Sequence, residues 1–217
     1  MHKLFKGEWY LRVMKICDEI LDGKIFIYPT DTVYGLGCNA EDAGAVEKIK
    51  EIKGRDKGKP LSVIAPSVEW IYEHCVIDVG DSGSDSRPNL VLKHSSPPLR
   101  KRENNSSPES SNILEKYLPG SYTLILKKKD KDFLSWVALG DSLGVRIPDC
   151  GFSKEVAKAG VPFITTSVNL SGEKPAVLLS DISEEIKNKV DVVIEAKEGA
   201  LSGRPSSLVI NGKVVER

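Results

Sequence analysis

The sequence predicts an α/β domain built on a mixed sheet, and two observations carry that prediction. Short apolar runs alternate along the chain with segments of helical hydrophobic spacing. The chain then closes on two strand-like segments joined by Asn211-Gly212, the signature of a type I′ hairpin. Interleaved strands and helices give the class, and a terminal hairpin makes the sheet mixed rather than purely parallel. The 217 residues suit a single domain.

The elements follow in order. Val13, Ile16, Cys17, Ile20 and Leu21 predict a helix over Leu11 to Leu21, ended by Asp22-Gly23. Ile25 to Tyr28 is an apolar run stopped by Pro29 and reads as a buried strand. Thr30 to Asn39 carries Gly35 and Gly37 and reads as an irregular, functional loop. Ala43, Val46, Ile49 and Ile52 predict a helix that Asp42 starts and Gly54 closes. Leu61 to Ala65 is a strand, and Ser67 caps a helix through Cys75. Beyond Ile113 to Leu118, strands are expected at Tyr122 to Lys127 and Leu143 to Ile147. A helix at Phe152 to Ala159 and a strand at Pro162 to Thr166 come next. Asp181 and Glu184 stand at capping-box spacing and predict a helix over Asp181 to Lys189. Val192 to Glu195 is a strand, and the hairpin pairs Ser207 to Ile210 with Lys213 to Glu216.

One stretch breaks the pattern. From about Val79 to Asn112, Ser and Pro dominate, aromatics are absent, and Leu90-Val91-Leu92 is the only apolar cluster. Such a composition buries too little apolar surface to offset its ordering entropy. It reads as a disordered or surface insertion at about 79–112 within one domain. Its Arg100-Lys101-Arg102 run suits an RNA contact or a localisation signal, and equally a solvated loop.

Composition excludes several functions. Lys+Arg and Asp+Glu are both 31, so no overall basic field drives nucleic-acid binding. No apolar run reaches the length of a membrane span, and Met1 to Tyr10 lacks the apolar core of a signal peptide. Cys17, Cys38, Cys75 and Cys150 are far apart, and the histidines are His2, His74 and His94. That spacing predicts no zinc site and no histidine-based triad. The cysteines read as small buried hydrophobes in a reducing, cytoplasmic setting.

Neither a P-loop nor a dinucleotide-binding glycine pattern is present. Five other segments carry candidate chemistry. Lys53-Gly54-Arg55, inside the cationic stretch Lys48 to Lys59, suits a polyphosphate; a lysine-rich solvated helix explains it as well. Thr165 to Gly172 is dense in hydroxyls around Asn169 and suits a polar ligand or ordinary turn chemistry. Thr30 and Thr32 can hold a small hydroxylated or carboxylated ligand, or simply form a turn. Gly203 to Ser207 is a turn able to cradle phosphate oxygens. Arg146, flanked by Val145 and Ile147, needs an anion when buried, from a ligand or from a protein carboxylate.

Taken together, YPTDTVYGLG, Lys53-x-Arg55, PGSYT at Pro119 to Thr123, GVRIP, TTSVNLSG and GRPSS follow one another in the order of a known family. From about Lys24 to Ile210 the chain resembles the YrdC-like domain. The resemblance implies a twisted, open α/β sheet with flanking helices. It also implies a threonylcarbamoyl-AMP synthase, which joins L-threonine, bicarbonate and ATP, releases pyrophosphate, and supplies a tRNA adenosine modification. Carried onto this sequence, it places the reaction on Lys53, Arg55, Ser167 and Asn169. It places ATP on those residues with Lys59 and Ser206, and threonine on Thr30, Thr32, Thr123, Arg146 and Thr166. Mg²⁺ is expected to accompany ATP without protein ligands of its own. A tRNA or a tRNA-modifying transferase complex is the expected partner, and no membrane. The chain departs from the family pattern at Ser121, Lys59 and Ile64, where many relatives have Pro, Asn and His. Two other readings stand beside it: an RNA-binding module without ATP turnover, and a related carbamoyltransferase domain.

Overall fold

The computed structural model describes residues 15–56, 58–77, 113–170, 172–197 and 199–216. Helix α1 covers residues 15–21; the part of the expected first helix before residue 15, and the insertion at about 79–112, lie outside the described residues. The strands are β1 (Phe26–Pro29), β2 (Tyr34–Gly37), β3 (Ser62–Ile64), β4 (Cys75–Val76), β5 (Tyr122–Lys128), β6 (Ser142–Arg146), β7 (Phe163–Ser167), β8 (Val192–Val193), β9 (Ser207–Ile210) and β10 (Lys213–Val215). The helices after α1 are α2 (Ala43–Ile52), α3 (Val68–His74), α4 (Ile113–Tyr117), α5 (Gly151–Ala159) and α6 (Glu184–Lys187). The strands form one open mixed sheet in the order β10-β9-β5-β6-β3-β7-β2-β1-β8, with β4 added to β5. β3 runs parallel to β6 and antiparallel to β7.

Strand alternation divides the core between two faces. Ile27, Val63 and Ile164 point to one face, where they pack with Val46 and Ile49 of α2, Ile71 of α3 and Leu114 of α4. Phe26, Tyr28, Ile64 and Phe163 point to the other, against Ile20 of α1 and Phe152 and Val156 of α5. On that face Tyr28 stacks on Phe152 at 4.2 Å between ring centroids, and Phe163 meets Phe26 edge-on at 5.6 Å. Both faces of the central strands are therefore covered, which is why these strands read as nearly unbroken apolar runs.

α2 begins and ends by local chemistry. The Asp42 carboxylate accepts from Ala45 N at 3.0 Å. At the other end Gly54 takes φ +55. Its N–H donates to Glu51 O at 3.0 Å, and Arg55 N–H donates to Lys50 O at 3.0 Å. That pair of bonds is a Schellman stop. Ser67 likewise caps α3 through Trp70 N at 3.2 Å.

Four expectations are corrected. The segment read as a loop between Thr30 and Asn39 contains β2, which pairs antiparallel with β1 and β7. Its glycines serve close packing, not turning: a Cβ on Gly35 would stand 2.6 Å from the Tyr28 ring, and one on Gly37 1.9 Å from Ile164 O. The expected helix over 181–189 is instead a 3₁₀ turn at Leu179–Asp181 followed by α6. Asp181 accepts from Leu178 N at 2.9 Å, and Ser183 is the residue that caps α6. Cys75 belongs to β4, not to α3, because it pairs with Lys128. β8 is shorter than expected, pairing with β1 only at Val192 and Val193.

Candidate functional site

Beyond the cover of α1 and α5, the same sheet face opens into a cleft of about 260 Å³. Its floor crosses β2, β7, β3 and β6 at Gly35, Thr165, Ser62 and Arg146. Gly35 and the loops around it let the cleft reach the sheet backbone, since any side chain there would collide with Tyr28. Of the residues expected to bind substrates, Thr30, Thr32, Thr123, Arg146 and Thr166 line the cleft. Of those expected at the reaction or on ATP, Arg55, Ser167 and Ser206 line it, whereas Lys53, Lys59 and Asn169 do not.

Proton bookkeeping separates structural hydroxyls from available ones. Thr30 Oγ1 donates to Val33 O at 2.7 Å and accepts from Thr32 N and Val33 N. Its single proton is thus engaged, so in the 2.8 Å pair with Thr32 Oγ1 it is Thr32 that donates. Thr30 therefore builds the turn between β1 and β2, and Thr32 turns a lone pair toward Arg146 Nη1 at 3.5 Å. Thr123 and Ser206 share one bond of 2.9 Å, which ties β5 to the loop before β9.

Arg146 is 5% exposed and meets the requirement for an anion within the protein. Its Nη2 donates to Asp31 Oδ1 at 2.6 Å. Asp31 Oδ2 accepts from Asp149 N at 3.2 Å and lies 3.4 Å from the Ser121 hydroxyl. Asp31 thus gathers the β1–β2 turn, the end of β6 and the loop before β5 around one guanidinium. Arg146 Nε remains buried with no partner among the described residues, and so does Arg55 Nε. Two arginines in the lining of one cleft give it a cationic character that suits an anionic ligand.

Gly54 sends its two cationic neighbours in different directions. Arg55 follows the left-handed residue into the cleft, where Nη2 donates to Pro60 O at 2.8 Å. Lys53, 2% exposed, turns inward. Its ammonium donates to Ser167 O at 2.5 Å, to Asn169 O at 2.9 Å and to Asn169 Oδ1 at 3.1 Å, using all three protons. Ser167 Oγ also donates to Asn169 Oδ1, at 2.5 Å. The Asn169 amide nitrogen donates to Leu170 O and Glu173 O at 3.0 and 2.7 Å. Lys53 and Asn169 therefore form the framework behind Ser167. Burial, with repulsion from Arg55 added, pushes the Lys53 ammonium down to about 8.

Among the described residues no cysteine lines the cleft. Burial raises the thiols of Cys38 and Cys75, the latter to about 11, so neither is a thiolate near neutral pH. Among the described residues no group of His, Cys, Asp and Glu could hold a metal ion, and no helix is long and apolar enough to cross a membrane.

The sequence assigns no ligand role to Ser62, the polar residue between Leu61 and Val63 on the cleft floor, nor to Thr165 individually, although it lies in the candidate segment Thr165 to Gly172. It assigns none to Asp31 either, which does not line the cleft but pairs with Arg146; the signal for it was the buried charge at Arg146 that needed a partner.

A family profile named Sua5/YciO/YrdC, described as telomere recombination, matches residues 18–215. A putative threonylcarbamoyl-AMP synthase of Methanocaldococcus jannaschii is 34% identical over 191 residues, covering 88% of this chain and 76% of that protein. The threonylcarbamoyl-AMP synthase of Vibrio parahaemolyticus is 27% identical over 192 residues, covering 88% of each chain. Among solved structures, E. coli YciO superposes with a TM-score of 0.68 at 20% identity, over 95% of this chain and 89% of that one. P. abyssi Sua5 complexed with L-threonine superposes with a TM-score of 0.67 at 23% identity, over 94% of this chain. This chain spans about half of that protein, 52% of its length.

Proposed function

The chain belongs to the Sua5/YciO/YrdC family, and from that premise we propose that it is a threonylcarbamoyl-AMP synthase. The substrates are L-threonine, bicarbonate and ATP, and the products are threonylcarbamoyl-AMP and pyrophosphate. The observation that carries this reading is the cleft lined by two arginines, Arg146 buried and Arg55 half-buried, each with an Nε that has no partner among the described residues, together with several hydroxyls.

The chemistry needs no side-chain nucleophile. Threonine's amine captures the carbon of bicarbonate to give an N-carboxylate with loss of water. A carboxylate oxygen then attacks the α-phosphorus, and pyrophosphate leaves. Both partners in the second step are anions, so bringing them together is part of the barrier. We assign the free edge of Arg146 to the threonine carboxylate, with Thr32, Thr123 and Ser206 around it. We assign Arg55 and Ser167 to the phosphates, with the Lys53 charge behind them. Among the described residues no carboxylate lines the cleft; we assign Mg²⁺ to enter with ATP as part of that substrate. The product is an activated acyl group, suited to transfer onto a tRNA adenosine by a partner enzyme.

The test is pyrophosphate release by the pure protein while each substrate is omitted in turn. Release is expected only with L-threonine, bicarbonate and MgATP together. ATP consumption that is equal with and without threonine rejects the reading and favours the carbamoyltransferase class.

A further inference from the structure

We propose that Ser62 is a substrate-binding residue of this reaction, its hydroxyl donating to the non-attacking carboxylate oxygen of the threonine N-carboxylate. The proposal rests on the synthase reading above and deepens it, because it places the joining step within the cleft.

Strand register supplies the position. Ser62 on β3 lies opposite Thr165 on β7 and Gly144 on β6. β6 and β7 run in opposite directions, since β3 is parallel to one and antiparallel to the other. Arg146 stands two residues beyond Gly144, and Ser167 two residues beyond Thr165 on the opposite side of the row. At about 3.3 Å per residue each is about 7 Å from Ser62 along the sheet. Arg55 joins the Ser167 end through its bond to Pro60 O, two residues before Ser62. One arginine therefore serves each end of the cleft, and Ser62 occupies the middle. A carboxylate that links an amino acid at one end to a phosphorus at the other must lie over that middle row.

The row is prepared for an oxygen ligand. Thr165 lies opposite Ser62 in that row. The Ser62 hydroxyl has no hydrogen-bond partner among the described residues, although Ser62 is only half-buried on the cleft floor. On its other side a Cβ on Gly144 would stand 2.5 Å from Ser62 Oγ. Glycine at that position leaves the hydroxyl room where it stands. A neutral donor suits the step: it stabilises charge on the non-attacking carboxylate oxygen without suppressing the nucleophilicity of the other, as a cation would.

The experiment varies bicarbonate in CO₂-depleted buffer at saturating threonine and MgATP, comparing wild type, Ser62→Ala and Ser62→Cys. The expected result is a fall of about tenfold in kcat/KM for bicarbonate in Ser62→Ala, with KM for threonine and ATP within about twofold of wild type. Ser62→Cys, a weak donor of similar size, should fall between, and it carries the test alone if the alanine variant does not fold. Unchanged bicarbonate kinetics in a folded variant overturn the proposal. So does an equal loss toward all three substrates, which marks a merely structural serine. A wild type without threonine- and bicarbonate-dependent release overturns the synthase reading itself, and this assignment with it.

Discussion

Lys53 combines a buried ammonium with three oxygen acceptors, and its behaviour with pH is distinctive. Its folded pKa of about 8 lies below the ordinary 10.5. Between those values the unfolded chain holds a proton that the folded one has released, so this group's contribution to stability rises with pH across the window from 8 to 10.5 and is least below 8. Activity is expected to move the other way. A neutral amine has two protons for three acceptors, so the turn holding Ser167 loosens as pH passes about 8. Lys53 side-chain carbon resonances, followed by NMR, should titrate with a midpoint near 8 rather than 10.5, and turnover should decline over the same range. Arg55, by contrast, keeps its charge throughout and faces the cleft. Arg55→Ala removes a charged contact worth about 1.5–3 kcal/mol, so pyrophosphate release should fall at least tenfold while the melting temperature stays within a few degrees.

Among the elements, β2 depends most on its neighbours. Gly37 lies where β2 passes against β7, and a Cβ there would stand 1.9 Å from Ile164 O and 2.6 Å from the Phe163 ring. Backbone cannot yield as a flexible side chain does. Gly37→Ala should therefore destabilise the fold by about 3 kcal/mol or more, read as a shift of the urea midpoint. The hairpin of β9 and β10 is the opposite case. Asn211 at φ 50 and Gly212 at φ 74 take the two positive angles of a type I′ turn, so that element follows from two adjacent residues.

For the whole molecule, residues 79–112, whose composition suggests an insertion, lie between two well-placed flanks. β4 pairs with β5 on one side, and Leu114 of α4 is buried in the main core on the other. Long surface insertions add little closure cost, about 0.6 kcal/mol per doubling of length. Replacing 79–112 by a short Gly/Ser linker should leave the melting temperature and threonine-dependent pyrophosphate release close to those of the full chain. A loss of either would show that the segment contributes to the domain.

What the sequence by itself determined about this protein is whatever a few neighbouring residues decide. Asp42 and Gly54 bound α2, Ser67 caps α3, and Asn211-Gly212 turns the hairpin, because capping bonds and left-handed angles are local events. The ordered motifs also pointed to the family and to most of the residues that meet in the cleft. The tertiary structure alone decided how distant segments use one another. β2 is a strand because it pairs with β1 and β7, and it can lie there only with glycines beside Tyr28 and Ile164, a demand invisible within Thr30 to Asn39. Asp31 answers Arg146 across 115 positions of sequence. Lys53 and Arg55, equivalent as a motif, part at Gly54 so that one braces the Ser167 turn and the other faces the cleft. Ser62 became a candidate only when β3 was set between β6 and β7. Strand order and register arise from long-range pairing, and no periodicity along a single chain encodes which strand lies beside which.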